Sequence, residues 1–318
     1  MTIAEAHKDM KLADTAVGEV AVSTPNDSAH EIGRGRSGVV FRRKGANGHD
    51  LACKVFDSRG LTKVVQWLTL GAPNPYMWNA SAVQCAKLRR DILNLLVPVW
   101  TKGQVAVAGA ETAIWNDKLK TFELRTRFVR GRTAALHHSL RDATEDEADR
   151  LWRQILPNLR SYLEHAGFDG LLWQAGIGNP VALNNFLFER TVRKENTART
   201  TASDGRWVWI DLESGVPAIF PISPRVLFQY SLAHWWRRGR PLFDDVDINR
   251  LKDHLRSNAQ ELRLVLGETD YETLNLKAER LGEHQRKWKS LGRLHSSIQY
   301  RLVQGDIDKL QADFYSIH

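Results

Sequence analysis

Cysteine is nearly absent: the 318 residues hold two, Cys53 and Cys85. Two thiols at that separation support neither a disulfide framework nor a zinc site. Long apolar runs are missing too. A membrane helix needs ~18 apolar residues, and the densest run, Ile92–Trp100, has half as many. The first residues, MTIAEAHKDMKLADTAVGEVAVSTPNDSA, show no basic start followed by an apolar stretch. A secretory leader is therefore not expected, and the expected compartment is the cytoplasm. No G-x-S-x-G elbow offers a hydrolase nucleophile. His137-His138 lacks companions at metal-ligand spacing, so surface or packing roles are expected there. No repeat recurs at a 20–50-residue period.

What is present is an ordinary globular mixture, 42% hydrophobic and 26% charged, which excludes wholesale disorder and collagen-like structure. The length suits one large or two modest domains. Lys and Arg number 45 against 37 Asp and Glu, a formal net charge of +8 that suits an anionic partner. Clusters such as Lys87-Leu-Arg-Arg90 and Trp236-Arg-Arg-Gly-Arg240 would meet phosphate or a membrane surface, or lie on solvated helix faces as basic runs usually do. Eleven tryptophans spread over strand-like and helix-like segments point to packing rather than base stacking.

Residues 1–28 are polar, small and aperiodic and read as a tail. From Glu31 come short β-rich runs, SGVVFRRK, DLACKVF, QVAVAG, TAIWND and TFELRTRFV, interrupted by one helical stretch from Ala80 to Leu96. After Gly131 the pattern turns helical. The clearest helix, Glu145–His165, carries an apolar stripe of Ala148, Leu151, Trp152, Ile155, Leu159, Tyr162 and Leu163. Thr144 and Glu147 suit a capping box, and Pro157 predicts a kink. Two more strands, NFLFERTV and RWVWIDL, flank a polar insertion over 193–204. Helices are expected over Arg225–Arg237, Asp247–Val265, Thr269–Lys289 and Ser296–Tyr315. A β-rich half then precedes a helical half, and clefts between such halves take small ligands.

The chemistry-bearing residues fall along this plan. Gly33-Arg-Gly-Arg-Ser-Gly38-Val-Val40 is a GxGxxGxV loop that runs into a strand rather than a helix. That disfavours a dinucleotide fold and favours a hairpin laid over phosphate. Sixteen residues after Gly38, Lys54 sits inside the apolar strand Leu51–Phe56. A lysine there needs an anionic partner or must snorkel to the surface. Asn184 and Asp211 stand where strands begin or end, positions at which both residue types also serve as turn-formers.

In its glycine-rich loop and its Ala-Cys-Lys-Val-Phe strand, the chain resembles the protein-kinase-like superfamily, in its atypical or inactive branches. The resemblance implies an α+β, bilobal fold with a small β-rich N-lobe and a larger helical C-lobe. It divides the chain into a tail over 1–28, an N-lobe over 29–131, a C-lobe over 132–268 and a helical extension over 269–318. Leu124–Gly131 looks like the fifth strand and hinge, Tyr162–Gly167 like the approach to the catalytic loop, and Gly178–Phe188 like that loop. Trp207–Gly215 looks like the strand ending in the metal-binding Asp. By this carry-over Gly33, Gly35, Gly38, Val40, Lys54 and Val129 would bind ATP. Asn184 and Asp211 would hold Mg²⁺, and Lys54, Asp211 and Asn179 would serve catalysis.

Three departures bear on activity. Asn179 stands where the family has its catalytic Asp, and an amide orients a hydroxyl without accepting its proton. Asp169, Glu189 and Glu213 are the carboxylates that would substitute. No Glu occurs between Val55 and Glu111, so the usual partner of the strand lysine is missing. Asp91 would replace it, or would pair with a neighbouring arginine at the surface. The loop also arrives late, with an extra turn over 168–177, and no A-P-E signature follows. The sequence therefore leads to an atypical phosphotransferase with an unknown small-molecule or protein acceptor; the alternative is an inactive pseudokinase acting as a scaffold or regulatory module.

Overall fold

The structure, a computed structural model, describes residues 30–35, 37–133, 143–172, 174–176, 182–190, 205–213 and 244–305. The 1–28 tail, His137-His138, Asn179, the 193–204 insertion, the 225–237 helix and the Trp236–Arg240 cluster lie outside these residues. So do the side chains of Thr144 and Glu145.

Alternating apolar residues make the first half a sheet. Strands β1 (His30–Arg34), β2 (Gly38–Lys44), β3 (Asp50–Phe56), β5 (Ala110–Asn116) and β6 (Thr121–Arg127) form one antiparallel sheet in the order β1-β2-β3-β6-β5. Between β3 and β5 lie two helices, α1 (Gly60–Leu70) and α2 (Ala80–Trp100), and strand β4 (Val105–Val107). Helix α1 was not expected from the sequence. Its Leu61, Val64 and Leu68 are exposed, so the apolar pattern carries no clear buried stripe.

Strand β4 was expected with the first sheet and lies elsewhere. It runs parallel to β9 (Gly205–Trp209) in a second sheet, β4-β9-β8-β7, completed by β8 (Phe186–Arg190) and β7 (Arg132–Thr133). Val105, Ala106 and Val107 are all buried, so this strand needs cover on both faces, as parallel pairing provides. Along β8 and β9 the aromatics alternate onto one face. Phe186 stacks on Trp209 with ring centroids 5.5 Å apart, and Phe188 meets Trp207 edge-on at 5.1 Å. The other face is a small separate core of Ala106, Ala108, Val129 and Val208.

The second half is helical. Helix α3 (Ala143–Arg150) continues through one wide turn, Leu151–Ile155, into α4 (Leu156–His165). The Leu156 amide reaches back five residues to the Leu151 carbonyl. Pro157 supplies no N–H and crowds the carbonyl four residues before it, so the backbone widens just ahead of it. The expected stripe is buried at Leu151, Ile155, Leu159 and Leu163, while Trp152 and Tyr162 stay partly exposed. Tyr162 stacks flat on Trp100, the last residue of α2, at 5.5 Å.

Asp247–Val265 divides into α5 (Ile248–Ser257) and α6 (Ala259–Leu266), and α7 (Glu268–Lys289) and α8 (Arg293–Gln304) follow. The break falls at Asn258, whose side-chain amide donates to the His254 carbonyl, 2.8 Å away. Helix α7 buries Tyr271, Leu274, Ala278, Leu281 and Trp288 at helical spacing against α2, α5 and α6. Helix α8 reaches α1, where Tyr300 meets Trp67 edge-on at 5.7 Å. Gln304 donates to the Lys120 carbonyl in the β5–β6 turn at 2.7 Å. The molecule is thus mixed α+β, with an antiparallel sheet in its N-terminal region and helices in its C-terminal region, wrapped around α2.

Candidate nucleotide site

Strand β3 presents Lys54, and β9 runs into Asp211. The two are 157 residues apart in sequence, and Lys54 Nζ lies 2.7 Å from Asp211 Oδ1. The same ammonium donates to the Glu213 carbonyl at 2.9 Å and stands 3.9 Å from Glu213 Oε2. Register places Val40 and Leu124 directly beside Lys54 on the same sheet face. Lys54 is 12% exposed and Asp211 39%, so the pair is reached by solvent from the Asp211 side rather than sealed in the core.

In the β8–β9 ladder Phe186 pairs with Trp209, and the Ile210 amide donates to the Asn185 carbonyl at 2.8 Å, carrying the pairing one place further. Asn184 lies before it in the short turn Ala182–Asn185 that leads into β8, outside the ladder. Asn185 anchors the short turn Ala182–Asn185 through its amide, which donates to Gln174 Oε1 at 2.8 Å. Asn184 itself is exposed. Carboxylate and neutral amide oxygens are the hard donors that Mg²⁺ accepts. Among the described residues no cluster of three His, Cys, Asp or Glu offers a metal cage.

The glycine loop lies between β1 and β2, closed by the Gly35 amide donating to the Gly38 carbonyl at 2.9 Å. Gly38 is required by packing: a Cβ there would stand 2.2 Å from the Val55 carbonyl oxygen. Gly33 has nothing within 4 Å of such a Cβ, and Gly35 meets only the Gly38 carbonyl, at 4.0 Å. Neither has a positive φ. Ser37 ties the loop to the site by donating to the Glu213 carbonyl at 2.9 Å. Val129, expected against the nucleotide, is buried between Ala106, Ala108 and Val208 in the small core.

One residue of the site, Arg90, went unread in the sequence as a site residue. The run Lys87–Arg90 suggested a solvated face or an anionic partner, yet Arg89 and Arg90 are both fully buried. Arg90 grips Glu213 with two bonds, Nε to Oε1 at 2.9 Å and Nη2 to Oε2 at 2.7 Å. It also donates to the carbonyls of Ala108 and Ile210 at 2.9 and 3.0 Å. Burial alone would raise the Glu213 carboxyl; Arg90 and Lys54 outweigh it and hold it below the usual carboxylate range. Arg89 is matched to Tyr76 and to Asp244, with its Nη1 2.6 Å from the Asp244 carbonyl. No local spacing signalled either ion pair, because the acids Asp244 and Glu213 lie 155 and 123 residues away.

Asp91 does not reach Lys54. It accepts from Lys87 at 2.9 Å and from Lys277 of α7 at 3.1 Å, since it projects from α2 about 100° round the axis from Arg90. The three proposed stand-in bases are also committed. Asp169 is forked by Arg250 at 3.0 and 2.9 Å, Glu189 is held by Arg127 and Arg206, and Glu213 is buried against Arg90.

No protein-family model and no curated protein matches the chain. Among solved structures it is similar to the Rio2 kinase–ADP/Mg²⁺–phosphoaspartate complex from Chaetomium thermophilum. The identity is 12% and the TM-score 0.33, over 95% of this chain and 75% of that one.

Proposed function

We propose that the chain is a kinase-like protein that binds ATP with Mg²⁺ and transfers a phosphoryl group to a small-molecule or protein acceptor. The observation that supports this reading is the Lys54–Asp211 contact of 2.7 Å. In this reading Lys54 takes phosphate oxygens, and Asp211 and Asn184 hold the metal. Val40 and the Gly33–Gly38 loop cover the nucleotide. Bound Mg²⁺ would supply charge neutralisation on the phosphates. The loop glycines let backbone amides approach those oxygens, and the β3 wall excludes water from one side. Asn179, which lies outside the described residues, would orient the acceptor hydroxyl without taking its proton, so turnover is expected to be slow.

A second reading has its own support. Asp169, Glu189 and Glu213 are all held by arginines, leaving none of the three as a base. A nucleotide-binding pseudokinase, acting as a scaffold, needs no base.

Thermal shift separates these readings from neither being right. A hundredfold excess of Mg·ATP over Kd should add about 2.7 kcal/mol of stability, and Lys54→Ala and Asp211→Ala should abolish the gain. Absence of any shift, or an equal one in both variants, removes the nucleotide site. Turnover that depends on Asp211 selects the phosphotransferase; binding without it selects the scaffold.

A further inference from the structure

The missing helix carboxylate leaves a question that the structure answers from the other side. Helix α2 contains one acid, Asp91, and it is engaged away from the site. What α2 offers the site is a cation, Arg90. Its guanidinium donates to the Ile210 carbonyl and to both Glu213 carboxylate oxygens, so it holds the backbone just before Asp211 and the side chain of Glu213 just after it. A fourth bond, to the Ala108 carbonyl, ties the same group to the segment after β4. A planar fork with this many fixed acceptors has one orientation. Glu213, so fixed, presents its carbonyl to Lys54 at 2.9 Å and its carboxylate at 3.9 Å, and its carbonyl also accepts from Ser37 of the glycine loop at 2.9 Å.

We propose that Arg90 and Glu213 are the positioning pair of this site: Glu213 is the standing anion of Lys54, and Arg90 sets the place of both Glu213 and Asp211. The helix supplies the positive charge and the Asp211 segment the negative one. The consequence is functional. Lys54 touches two carboxylates of unlike exposure, Asp211 at 39% and Glu213 at 0%. The exposed one is free to exchange the ammonium for a metal ion, while the buried one keeps it aimed at the Asp211 side. A pair that only filled the core would not need to bracket Asp211 or touch Lys54.

The second readout below rests on the nucleotide reading; the first does not. In the ligand-free protein, acetylation of Lys54 by a water-soluble N-hydroxysuccinimide acetate is followed by mass spectrometry. In the double variant Arg90→Gln/Glu213→Gln, which leaves no unpaired buried charge, Lys54 should react about tenfold faster than in wild type. Mg·ATP affinity from thermal titration should fall by about tenfold as well. A folded double variant with wild-type Lys54 reactivity overturns the inference. Faster acetylation with no Mg·ATP shift in wild type supports the positioning pair and overturns the nucleotide reading instead. If the double variant does not fold, Arg90→Lys decides: it keeps the charge and loses the fork, and unchanged Lys54 reactivity there overturns the inference equally.

Discussion

At the scale of single residues, the three loop glycines do different work despite one motif. Gly38 is a packing glycine, because the Val55 carbonyl occupies the space a side chain would take. Gly33 and Gly35 have room for a Cβ and no left-handed backbone, so the chain's own packing does not require them to be glycine. A phosphate drawn close to the backbone would require it. Gly38→Ala is therefore expected to lower the unfolding midpoint in urea by about 1–3 kcal/mol of stability through overpacking. Gly33→Ala and Gly35→Ala are expected to leave the midpoint near wild type and to weaken Mg·ATP binding in a thermal titration. Equal destabilisation by all three would remove the distinction. Lys54 and Asp211, which the structure brings into contact, were legible in the sequence because each belongs to a short local pattern. Glu213 was named only as a substitute base, and Arg90 was not read as a site residue, since a basic cluster on a helix reads the same whether it meets water or a buried acid.

At the scale of elements, α2 organises the molecule. Asn79 caps it by accepting from the Ala82 amide at 2.9 Å, and its Ile92, Leu93, Leu96 and Val97 are fully buried. The first sheet, the second sheet and α4 each use part of its surface, and α7 covers the rest. Periodicity identified α2, α4 and α7 because each keeps a regular apolar stripe. It missed α1, whose apolar residues face outward as well as inward, and it misplaced β4, whose three residues carry no alternation at all. Helix α1 ends where Gly71 takes φ +76°, and a Cβ there would stand 2.4 Å from the Arg293 carbonyl at the start of α8. If α7 is integral rather than appended, Leu281→Ala, which empties a fully buried position facing α2, should cost about 2–5 kcal/mol in chemical unfolding. A loss below 1 kcal/mol, or a separate early transition, would mark α7 as an independent unit.

At the scale of the whole molecule, charge and pH decide more than the net figure of +8 suggests. Part of the positive excess is absorbed internally: Arg89 and Arg90 are buried against Asp244 and Glu213. Another part crowds one end of the first sheet, where Arg42, Lys44 and Arg130 share the single carboxylate of Asp50. Burial lowers His254 and His284 below the usual imidazole value of 6.5; His165 and Lys287 add to this, while Glu261 and Glu283 oppose it. The unfolded chain then binds protons that the folded chain refuses, so stability is full above pH 6.5 and declines as pH falls below it. Glu213, lowered from 4.5, adds a further loss at more acid pH. The melting temperature should therefore fall from pH 7 to pH 5, and His254→Gln should flatten that slope; an unchanged slope would locate the effect elsewhere. No described helix is long and apolar enough to cross a membrane. By itself the sequence determined the alternation of strands, the main helices and the order of the candidate site residues, because these depend on contacts between near neighbours. Only the tertiary structure decided which acid meets which base, since burying an arginine requires a partner, and Arg90 finds its own 123 residues away.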